Sequence, residues 1–176
     1  MKRIFLLSFA SLVFSSGALA QPSPASPAPA SKAMGQGLFE QQGANSCLYC
    51  HGISGEGGKV AAAAKLTHPK QWKTYKGLGG DAAYAKNPQE FLKRLEEGVV
   101  NVIQKGAIAH NSGFKPAWFD WKATGGPING QMLGLTGAPS TAWLSRFKDK
   151  GVTREVAALS LYLYIQSFDV DGVFKK

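Results

Sequence analysis

The stretch Cys47-Leu48-Tyr49-Cys50-His51 holds the only two cysteines of this 176-residue chain, three positions apart, and one of its three histidines follows directly. Three such side chains packed into five residues serve a site, and the rest of the fold has to be arranged around it. A structural zinc centre needs four protein ligands, usually as two separated pairs, and no second cysteine pair exists to complete one. A thioredoxin-like redox pair belongs at a strand-to-helix junction, whereas the flanks here are rich in Gly, Ala and Lys without a strand pattern. A disulfide closing so short a loop restrains little of the unfolded chain and leaves His51 without a role.

The C-x-x-C-H order has a chemistry that uses all three residues. Two thiols add across the two vinyl groups at one edge of a haem, and the adjacent imidazole turns under the ring to bind iron as the proximal ligand. The expectation is therefore one covalent haem c on Cys47 and Cys50, with His51 on the iron. The N-terminus points the same way. Lys2 and Arg3 form a basic region, Ile4 to Gly17 is uncharged and apolar, and Ala18-Leu19-Ala20 is an A-x-A cleavage site. Residues 1–20 thus read as a signal peptide cleaved after Ala20, too short in its apolar core for a permanent membrane span. Residues 21–33, rich in Pro, Ala and Ser, read as a flexible polyproline-disposed tether.

Residues 34–176 then make one domain, enough chain to bury a core around a planar cofactor. Removing Lys2 and Arg3 lowers the formal charge of +9 by two, to +7. A basic surface of this size steers acidic protein partners. Nucleic acid is not expected, because the chain reads as exported and has no basic patch interleaved with aromatics.

Gly37 to Gln42 reads as a short helix delivering the chain to Cys47, and His68-Pro69 can open another. Asn87-Pro88-Gln89-Glu90 has a cap, a proline suited to the first helical position and a glutamate able to close a capping box. The apolar face Phe91, Leu92, Leu95 follows, and Gly98 is the expected stop. From 99 to 139 the pattern breaks into Gly, Pro, Asn and aromatic residues, an extended loop region of the kind that carries function. Ser140 can cap a helix through Trp143 and Phe147 to Gly151, and Thr153 can cap a last one from Arg154 to about Phe168.

A short helix, then C-x-x-C-H, then Gly52 and the glycine-rich run 54–58, then a middle and a C-terminal helix, resembles a class I c-type cytochrome. The resemblance implies an all-α, cytochrome c-like fold of about four or five helices with long loops wrapped around one haem. It also implies that Leu38 and Phe39 of the first helix meet the Tyr162 to Ile165 face of the last. It places the distal iron ligand between the middle and last helices, where Met132 stands; His110 is the alternative, with His68 and Met34 behind it. Met132 is not followed by proline, and about twenty residues separate it from the last helix, two departures from the family pattern. Of Trp72, Trp118, Trp121 and Trp143, most suit core packing, and one or two have an indole N–H that could serve a haem propionate.

The function these readings imply is periplasmic transfer of single electrons, by a carrier rather than an enzyme in its own right. Two alternatives stay open: a haem subunit of a periplasmic or membrane-associated oxidoreductase, and a haem whose distal side is open to small ligands. No nucleophile paired with a base, no paired acid carboxylates and no nucleotide loop is present.

Overall fold

Among the described residues the chain forms six α-helices and two 3₁₀ turns, the first starting at Lys32 and the last ending at Phe168, and no strand. The computed structural model describes residues 28–41, 46–128, 132–135 and 151–175. The expected signal peptide, most of the expected tether and the helix expected from Ser140 lie outside the described residues.

Helix α1 (Lys32–Phe39) begins five residues earlier than its sequence pattern suggests, because Ser31 caps it: the Ser31 hydroxyl accepts the Met34 amide at 3.2 Å. Its partner is α6 (Arg154–Ile165), capped by Thr153 through the Val156 amide and continued by a 3₁₀ turn, Gln166–Phe168. The two cross where Gly35 rests on the backbone of Ser160, an approach that only a residue without a Cβ permits. The Ser160 hydroxyl accepts the Ser31 amide at 3.1 Å and donates to the Val156 carbonyl at 2.7 Å, so the crossing is hydrogen-bonded as well as close. Phe39 packs at 5.4 Å from both Tyr164 and Phe168, and Tyr164 donates to Glu40 at 3.0 Å. The expected meeting of the first and last helices is therefore present, with Leu38 and Phe39 in the core.

The motif itself forms α2 (Cys47–His51), and a 3₁₀ turn at Pro69–Gln71 leads into α3 (Lys73–Gly77) and α4 (Gly80–Lys86). Helix α5 (Pro88–Gly113) departs most from the sequence reading. Asn87 accepts the Glu90 amide at 3.2 Å as expected. Glu90 does not reach back; it pairs with Arg94 at 2.7 Å, while the Asn87 amide is taken by the Ala83 carbonyl. Nor does Gly98 end the helix. Phe91, Leu95, Val99, Val102, Ile103, Ala107 and His110 continue one buried face, and burial of that stripe outweighs the weak helix propensity of a single glycine. Residues 99–113 of the expected 99–139 loop are thus helix. The one interruption lies at Gly106, whose φ of 77° and ψ of 167° kink the element.

The core gathers α1, α5 and α6 around Leu38, Phe39, Leu95, Ile103, Leu161 and Ile165. Each fully buried large apolar side chain contributes about 1.5–3 kcal/mol. The C-terminal tail is laced to the segment that precedes α3. Asp171 accepts the Lys70 amide at 3.0 Å and faces His68 Nδ1 at 3.1 Å, and Val170 donates to the Thr67 carbonyl at 2.9 Å. No described helix is long and apolar enough to cross a membrane.

Candidate cofactor cavity

Five residues are too few for a stable isolated helix, so α2 depends on its surroundings. Ser46 caps its start by accepting the Tyr49 amide at 3.0 Å. Its carbonyls are then satisfied by the glycine-rich loop that follows. Leu48 accepts from Gly52, Tyr49 from Lys59, Cys50 from Gly58 and His51 from Gly57, at 2.8 to 2.9 Å. This supplies the partners that a helix C-terminus otherwise lacks. The glycines after the motif thus let the backbone fold back onto α2 itself.

Helical geometry sets Cys47 and Cys50 on one side of α2, because residues three apart are neighbours on a helix surface. Both are free thiols. Burial pushes the Cys47 thiol up to about 12 and raises Cys50 in the same direction. Neutral thiols are the opposite of what a thioredoxin-type nucleophile requires, which is a thiolate stabilised near neutrality.

His51 is oriented by a single bond. Its Nδ1 lies 2.8 Å from the Ala64 carbonyl, which can only accept, so Nδ1 carries the proton and Nε2 keeps its lone pair. Burial lowers its pKa, against the opposing pull of that bond, and a neutral imidazole is the form that ligates a metal.

His51 and Cys50 stand in the wall of a cavity of about 530 Å³, within the range of small-molecule and cofactor sites. Trp72, Val99, Ile103 and Met132 are among the other lining residues, and the wall is predominantly apolar. Trp72 holds its place by donating its indole N–H to the Lys65 carbonyl at 2.9 Å, which commits that donor within the protein. Lys73, also in the wall, donates to the carbonyl of Pro127 at 2.6 Å and joins α3 to the loop beyond α5.

Of the distal candidates, Met132 shares this cavity with His51. His110 does not line it. Its ring is fully buried, its Nδ1 faces Asn101 Oδ1 at 3.0 Å, and it stacks on Phe114 at 4.7 Å. His68 is held by Asp171, and the Met34 sulfur lies against the Ser160 hydroxyl at the α1–α6 crossing. Among the described residues no group of three or more His, Cys, Asp or Glu side chains converges as a metal-ion site. A structural zinc would require such a group.

Sequence reasoning missed Val99, Val102 and Ile103 as cavity residues, because Gly98 was read as the end of their helix. The signal was available: the spacing 91, 95, 99, 102, 103 carries one helical face straight through Gly98. Comparisons with protein-family models, curated proteins and solved structures found no match.

Proposed function

We propose that this chain is an exported monohaem protein of the c-type cytochrome kind, with a cytochrome c-like fold, that passes single electrons between protein partners. The observation that carries the reading is the His51–Ala64 bond. It leaves the Nε2 lone pair of a half-buried imidazole free, in a cavity wall that also includes Cys50 and Met132.

A bound haem supplies a one-electron ferrous/ferric couple. The chain's own residues do the rest. Cys47 and Cys50 hold the cofactor by two thioether bonds, and His51 gives the iron an imidazole whose tautomer is already fixed. Met132 offers a thioether, which raises the reduction potential relative to a second imidazole. Trp72, Val99 and Ile103, in the cavity wall, would give the cofactor an apolar surround. The formal charge of +7 that remains once residues 1–20 are removed steers acidic partners into brief contact. Export through residues 1–20 to the periplasm belongs to the same proposal, since it would bring the thiols to the compartment where such attachment is made.

Visible spectroscopy of the purified protein, before and after denaturation in acidified acetone, tests the reading. Colour that stays with the polypeptide, and is lost when Cys47 and Cys50 are both replaced by Ala, is expected. Extractable haem, or none in protein made in a host competent for c-type attachment, would overturn it.

A further inference from the structure

Helix α5 is broken at Gly106 in a way that leaves two buried backbone groups without their helical partners. In an unbroken helix the Ala107 amide would donate to the Ile103 carbonyl. Here the Ala107 amide donates to the Met132 carbonyl at 2.7 Å, and the Ile103 carbonyl accepts the Leu135 amide at 2.8 Å. The segment 132–135 is spliced into the gap and satisfies both groups. Ala107 is completely buried and Ile103 nearly so, and unpaired polar backbone at that depth would be costly.

Two glycines make the splice possible. Gly106 (φ 77°) and Gly134 (φ 64°) both lie in the left-handed region that side chains disfavour. They also face each other. A Cβ on Gly106 would come within 2.7 Å of the Met132 carbonyl oxygen and 2.5 Å of the Leu133 carbonyl carbon, and one on Gly134 within 2.6 Å of Gly106 Cα. The residue seated by this contact is Met132, which lines the cavity together with Val102 and Ile103 of α5.

We infer that the break in α5 is a seat for the distal ligand: Gly106 and Gly134 are positioning residues that fix the Met132 backbone at the cavity. The inference rests on the haem reading above. It adds that the segment carrying the sixth ligand is held by two backbone bonds to α5, one at Met132 itself and one at Leu135, independently of the cofactor, where the sequence shows no proline after the methionine to stiffen its loop. Losing the seat would free the thioether without touching Cys47, Cys50 or His51.

The test compares the full-length holoprotein with its Gly106→Ala and Gly134→Ala variants on three readouts: covalent haem content, the thioether-to-ferric-iron charge-transfer absorption, and carbon monoxide binding to the reduced form. The expected result is unchanged covalent haem, loss of the charge-transfer absorption, and rapid carbon monoxide binding that the parent protein lacks. Variants with the parent's absorption and ligand resistance would overturn the inference and leave the haem reading standing. A parent protein without covalent haem would overturn both. Should neither variant fold, amide exchange in the parent decides. Slow exchange at Ala107 and Leu135 supports the seat, and exchange at the rate of free peptide at both overturns it.

Discussion

His110 and Asn101 face each other across 3.0 Å in the second half of α5, with the imidazole fully buried and its Nε2 without a hydrogen-bond partner among the described residues. Burial, reinforced by the nearby Lys105 charge, pushes this imidazole down to about 4 from the ordinary 6.5. The folded state therefore resists a proton that the unfolded chain accepts. The stability so conferred is complete above about pH 6.5 and is lost progressively as the pH falls from there through 4, on the order of 3 kcal/mol over that window. Denaturant titrations at several pH values should show this acid limb, and His110→Gln should flatten it by about one proton. An identical slope in the variant would mean that His110 does not carry the limb.

The α1–α6 crossing separates a steric requirement from a general tolerance of side chains. Gly35 rests on the Ser160 backbone, whereas Gly37, two positions on in the same helix, has open space around it. Gly35→Val should destabilise by about 1–3 kcal/mol or more, as overpacking does. Gly37→Ala should stabilise by about 0.5–1 kcal/mol through helix propensity. Thermal melts of the two variants should move in opposite directions, and a neutral Gly35→Val would contradict the close approach.

Gly98 tests why the helix runs on where the sequence appears to stop it. A Cβ there would meet the Thr74 methyl at 3.6 Å, an ordinary contact, and the backbone is helical. Gly98→Ala should raise stability by about 0.4–1 kcal/mol, read as a shift of the urea midpoint at constant m-value. Destabilisation would show that the α3–α5 contact needs the smaller residue.

Local signals were legible where a residue's partner lies within a few positions. Asn87 and Thr153 cap through amides three residues on, as their sequence positions suggest, and the motif spacing alone puts Cys47, Cys50 and His51 together. What could not be read depends on distant partners. Ala64 fixes the His51 tautomer from thirteen residues away, and Met132 meets Ala107 across a helix break that single-sequence periodicity cannot show. Gly98 and Gly106 look alike in sequence. One is an ordinary helical position and the other has φ near 77°, and the 132–135 segment that makes the difference is remote in the chain.

Met132 is the residue on which the proposed redox behaviour turns, since it shares the cavity with His51 while His110 lies outside its wall. Two substitutions divide its roles. Met132→Ala would remove the proposed sixth ligand, so the charge-transfer absorption should vanish, the potential should fall, and the reduced protein should bind carbon monoxide rapidly. Met132→His offers a second imidazole instead. The absorption should again vanish and the potential should fall, because imidazole favours the ferric state relative to thioether, but carbon monoxide should remain excluded. Retention of the absorption in Met132→Ala would mean that a different sulfur, with Met34 as the remaining candidate in the domain, reaches the iron. That outcome would require the α1–α6 crossing, where the Met34 sulfur lies 3.3 Å from the Ser160 hydroxyl, to open.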